Sequence, residues 1–173
     1  MFLVNYRHSN CEPLKSITQL PKDEAVKLAK KLYSENPCRG HNRFGLGFAE
    51  YYDDRIKMEQ WLYEQFIAIG GEPQVKNPFY FTLCFSENLY ENFNSGKVIT
   101  ISLTDIAIMD ISFTLNDSMA KFYSADWKKP LLKDQLYEIM SEYEDNVEKF
   151  LISMQPKYLY VEAQLWTEKY FVY

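Results

Sequence analysis

Residues 79–85, FYFTLCF, carry an apolar or aromatic side chain at every position except Thr82. Successive strand residues point to opposite faces, so bulk at both parities predicts a strand buried on both sides, in the centre of a sheet. That single run commits the chain to a sheet with partners on both edges of this strand.

Candidate partners are legible. FLVNY (2–6), KVITISL (97–103) and DISFTL (110–115) read as strands. In KYLYVEAQLW, Leu159, Val161, Ala163 and Leu165 alternate against Tyr158, Tyr160, Glu162 and Gln164. This pattern predicts a half-buried strand with its polar set facing water. EKYFVY is expected to add a last strand after a turn at Thr167–Glu168.

Between these runs the period changes to that of a helix. LPKDEAVKLAKKLYSEN opens on Pro21, has acids in its first turn and stops before Pro37, with Ala25, Leu28, Ala29, Leu32 and Tyr33 as its stripe. A second helix is predicted over 48–69, ended by Gly70-Gly71. A third, over 130–152, shows a stripe from Leu132 through Leu136, Ile139, Met140, Tyr143, Val147 and Phe150 to Leu151. The acidic row Glu138, Glu142 and Asp145 is expected to be its solvated face. Ser86 is placed to cap a short helix over 87–93, and 116–130 has no clear period and reads as loop. The order predicts one α+β domain over 1–173, with a mixed or antiparallel sheet packed against three main helices.

Composition narrows the function classes. A net charge of −5 and no long basic run argue against a nucleic-acid surface. No apolar run approaches the ~20 residues of a membrane span. The N-terminal MFLVNYRHSN is too polar for a signal-peptide core, and Cys11, Cys38 and Cys84 form no C-x-x-C. A cytoplasmic protein with free thiols is expected, with Cys84 as core filler. Cys38 and His41 have half of a zinc spacing, but no second pair completes it, so no metal is expected. The 14 Tyr, 12 Phe and 3 Trp suit a bulky core and would also suit a homodimer surface.

No phosphate loop, dinucleotide fingerprint, nucleophile elbow or H-E-x-x-H occurs. The loop CRGHNRFGLG (38–47) does attract attention, because it feeds a helix start. Free N–H groups there favour anions, and Arg39 and Arg43 could grip a phosphate or carboxylate with His41 beside them. If these converge with His8, a small anionic ligand is expected; if they diverge, the segment is a connector. A loop histidine is ordinarily a solvated group, and a general base needs a partner in reach. Tyr51, Asp53 and Asp54 cluster near the same helix start, where acids offset the helix dipole.

One further set falls in a suggestive order: NYRHS on the first strand, FYFTLCFSENLYENFNSGKVITISL in the middle, and YVEAQLW late. In this order the chain resembles the ADP-ribosyltransferase architecture. The resemblance implies an NAD-using enzyme in which Arg7 or His8 holds the NAD phosphate or ribose. Ser86 would orient the nicotinamide ribose, and Glu162 would stabilise an oxocarbenium-like state. The late pair is Glu162-x-Gln164 rather than E-x-E, and only Thr82 and Ser86 stand where that family has S-T-S. Without a complete catalytic set, the leading expectation is a binding or interaction module, with a small anionic ligand as its partner; the enzyme is the alternative.

Overall fold

The computed structural model describes residues 1–9, 11–35, 44–122, 129–155, 157, 159–171, with the side chains of 121 and 122 excepted. Five strands form one antiparallel sheet: β1 (Phe2–Arg7), β2 (Phe79–Leu83), β3 (Lys97–Ser102), β4 (Ile111–Leu115) and β5 (Val161–Leu165), in the order β3-β1-β2-β5-β4. β2 is the middle strand, as its apolar run requires. The helices are α1 (Lys22–Glu35), α2 (Phe48–Ala68), α3 (Glu87–Asn92), α4 (Ser118–Phe122), α5 (Lys133–Ser141) and α6 (Val147–Met154). The fold is α+β, built on an antiparallel sheet.

Alternation divides the sheet into two unlike faces. On one face lie Leu3, Phe79, Phe81, Leu83, Ile111, Phe113, Ala163 and Leu165, which pack with Leu136, Met140, Phe150 and Met154 of α5 and α6. On the other, Val4, Thr82, Glu162 and Thr114 are direct cross-strand neighbours, and Tyr80, Gln164 and Ser112 form the next row. This polar face is covered by α1 and α2. Phe48 and Tyr52 of α2 join Ala25 and Ala29 of α1, while Met58, Leu62 and Phe66 join Met119 and Trp166. Gly96 lies against the Arg7 carbonyl with no room for a side chain, which brings the α3–β3 turn onto the end of β1.

Four expectations are corrected. The helix over 130–152 is two helices. Glu144 and Asp145 adopt φ of 58° and 55°, and the Asn146 side chain accepts the Lys149 N–H to cap α6. An unbroken helix of that length would run about 35 Å, against about 17–20 Å for the strands beneath it, so its far end would leave the core. Within 116–130, Ser118–Phe122 is helical rather than loop; Asp117 caps it by accepting the Met119 N–H. The expected last strand is a turn at Glu168–Tyr170, closed by the Phe171 N–H on the Glu168 carbonyl. Finally, β5 is buried on both faces, because α2 covers the polar set that alternation assigned to water.

Candidate functional site

The helix α2 starts at Gly47, whose φ of 89° only glycine takes without strain. Along it, Tyr52, Arg55, Glu59, Leu62 and Phe66 recur at helical spacing and are all buried. Two charges thus sit inside the apolar stripe. Arg55 Nε donates to Glu59 Oε1 at 3.1 Å, and the guanidinium lies 3.8 Å from the centre of the Tyr80 ring. Glu59 also accepts from Tyr80 Oη (3.0 Å), Thr18 Oγ1 (3.2 Å) and Asn77 Nδ2 (2.7 Å). A buried ion pair needs such additional bonds to offset its desolvation. Burial works against the charge on Arg55. Tyr80 and Tyr51, then Glu59 and Glu162, outweigh it and hold its pKa well above the ordinary value.

A cavity of about 690 Å³ opens between the polar face of the sheet and the α1–α2 layer. This is within the size range of small-molecule sites. Arg55, Tyr80, Thr82, Asp117, Tyr160 and Glu162 line one part; Arg7, His8, Cys11, Lys15, Lys31 and Glu35 line another. Thus Arg7, His8 and Glu162, far apart in sequence, border one space.

Glu162 is 6% exposed, and its Oε1 accepts from Gln164 Nε2 at 2.9 Å. Gln164 Nε2 also donates to Thr114, its Oε1 accepts from Ser112, and Ser112 Oγ accepts from Trp166 Nε1 at 2.9 Å. This chain anchors Glu162 through Gln164 to a tryptophan stacked on Phe66 of α2. Burial, and next the charge of Asp117, push the Glu162 pKa up from 4.5 to about 7; Arg55, Ser118 and Gln164 pull the other way. Asp117 is held by Tyr160 Oη on one oxygen and the Met119 N–H on the other. A carboxyl poised near neutrality beside a second one, in a cavity wall, can exchange a proton or bind a cation.

The other sequence candidates are placed differently. Arg7 Nη1 donates to the Cys11 carbonyl. His8 is 3% exposed, its ring packed by Phe44 and Phe93, which corrects its reading as a solvated loop group. Ser86 does not line the cavity: its hydroxyl accepts the Leu89 N–H as the α3 cap, and its own N–H donates to Tyr6 Oη at 2.6 Å. Arg39, His41 and Arg43 lie outside the described residues. Asp53 pairs with Lys22 and Asp54 with Lys57, on the outer side of α2. Cys84 is half-buried with φ of 62°, ending β2 rather than lying within it. Among the described residues no group of three or more His, Cys, Asp or Glu could hold a metal ion.

Sequence reasoning missed Arg55, Glu59, Tyr80 and Asp117. The available signal was the pair of charges at i, i+4 inside an apolar stripe, since charges at such positions are buried and paired. No family model, curated protein or solved structure matches this chain.

Proposed function

We propose that this protein is a binding module for a small organic ligand, held between the polar sheet face and the α1–α2 layer. One observation carries the reading. Glu162 and Arg55, each more than nine-tenths buried, both border the 690 Å³ cavity instead of being replaced by apolar packing. Buried charge costs stability unless it is paired, and the terminal nitrogens of Arg55 carry no hydrogen bond among the described residues. A ligand group supplies what they lack. The test is a fragment screen by NMR with assigned amides. Fragments should shift Arg55, Thr82 and Glu162 together; shifts confined to other surfaces, or no binding in any charge class, would overturn the reading.

A second reading is favoured by one observation: Arg7 and Glu162, paired by the resemblance to ADP-ribosyltransferases, border the same cavity. Under it the ligand is NAD and Glu162 acts on the ribose. Ser86 has no part in this version, since its hydroxyl caps α3. Incubation with NAD should release nicotinamide, and Glu162→Gln should abolish the release; absence of NAD binding removes this reading and leaves the first.

A further inference from the structure

The inner end of the cavity has a definite charge. Arg55 contributes one positive charge, Glu59 is bonded to it, and Glu162 and Asp117 add two carboxyls. Asp117 and Arg55 act on Glu162 in opposite senses, and both border the same cavity. Both carboxyls border open space, and Glu162 is 6% exposed. Among the described residues no group of three or more His, Cys, Asp or Glu could hold a metal ion, and a guanidinium and three tyrosine rings border the same space, a lining that suits an organic cation. Arg55 adds a second requirement: the ligand has room for an oxygen acceptor beside its positive group, facing guanidinium N–H donors that meet no protein partner among the described residues. Around this end stand the rings of Tyr51, Tyr80 and Tyr160, suited to an apolar or aromatic body.

We infer that Glu162 and Asp117 bind the primary ammonium group of a small ligand, either a plain amine or an α-amino acid whose carboxylate meets Arg55. This rests on the binding reading above. When the ammonium binds, the protonated fraction of Glu162 gives its proton to the buffer, leaving a carboxylate against the cation. Among the described residues, the charged and titratable groups that act on Glu162 are Asp117, Arg55 of α2 and Tyr80 of β2. Tyr80, buried, has a pKa raised well above the ordinary value and stays neutral. The proton therefore comes from the Glu162–Asp117 pair.

The test uses three probes with one body: phenylethylamine, phenylalanine and 3-phenylpropionate. Calorimetry near pH 7 in buffers of different ionisation enthalpy should show about half a proton released per amine bound, given a pKa of about 7. Affinity should fall as pH drops from 8 to 6. Glu162→Gln should weaken the amine about tenfold or more and abolish the proton release. Asp117→Asn, which leaves Glu162 in place, should also weaken binding. Tighter binding of phenylalanine than of phenylethylamine assigns the carboxylate to Arg55; the reverse order assigns a plain amine, and either supports the inference. Preference for 3-phenylpropionate, or amine binding unchanged in both variants, overturns it. So does a cavity that takes neutral fragments but neither ammonium probe; in these cases the binding reading survives. If nothing of any charge binds, that reading falls as well.

Discussion

The two faces of the sheet share the same five strands and are built on opposite terms. Toward α5 and α6, Phe81, Leu83, Phe113 and Ala163 meet Leu136, Met140 and Phe150 in a dry core. Toward α2, Thr82, Glu162, Thr114 and Gln164 are just as deeply buried, yet they are polar, and Thr82 and Glu162 border a cavity that Arg55 of the buried ion pair also lines. The dry face gains stability from apolar area removed from water. The polar face loses some of that gain to desolvated carboxyls and recovers it only where each group finds a partner. A sheet of five- and six-residue strands could have been apolar on both sides. Departures from that simplest solution concentrate at functional sites, which makes the polar face the place to look for function.

The largest test of the contrast is on the dry side. Phe113→Ala removes a fully buried ring and should cost about 3–5 kcal/mol in urea unfolding. On the polar side Glu59→Ala should cost about as much, about 3–5 kcal/mol, because it strands the buried Arg55 charge. What separates the faces is the double change. Arg55→Met with Glu59→Leu removes the pair together and should restore most of the loss. A double variant as unstable as Glu59→Ala alone would mean that the network supports the fold beyond its charges.

Next in size is a pH effect. The Glu162 pKa is raised in the folded state to about 7, so the fold favours the protonated carboxyl. Its contribution to stability is full below the unfolded pKa of 4.5 and is lost as pH rises through 7. At about 1.4 kcal/mol per pKa unit, Glu162→Gln, which cannot ionise, should be more stable than the parent by up to about 3 kcal/mol above pH 8. Below about pH 4, where the carboxyl is protonated in both states, the two should unfold together. A difference that does not grow with pH would show that Glu162 is not desolvated, and the polar face would lose its distinction.

The dry face was largely legible. Phe79–Leu83 is the middle strand its bulk demanded, and Leu136 and Met140 fill the core they were expected to fill. Periodicity suffices there because apolar burial is insensitive to direction. The polar face was not legible for the same reason: alternation in β5 separates two sets, but cannot say that the second set meets a helix rather than water. Arg7, His8 and Glu162 were marked by residue type and order. Arg55 and Asp117 needed the path of α2 and the turn after β4 to be known, since one looks like an exposed helix charge and the other like a loop acid. The helix break at Glu144–Asp145 was missed because Phe150 stays in phase with Leu136 whether the helix is continuous or not. Only the cap at Asn146 marked it.

That break supplies the smallest prediction, and its sign matters more than its size. The dry face keeps its cover only if the chain turns between α5 and α6, with Asp145 at φ 55° and exposed. In that left-handed conformation a side chain costs about 1–2 kcal/mol, whereas glycine is free to adopt it. Asp145→Gly should therefore stabilise the protein by about 0.5 kcal/mol, once the greater freedom of the unfolded glycine is counted. Asp145→Ala should destabilise it by about 1 kcal/mol, because alanine lacks the local hydrogen bonding that lets Asp tolerate this region. In a continuous helix both signs invert, since alanine is the best helix former and glycine is among the worst. Two thermal melts therefore decide whether the cover of the dry face is one helix or two.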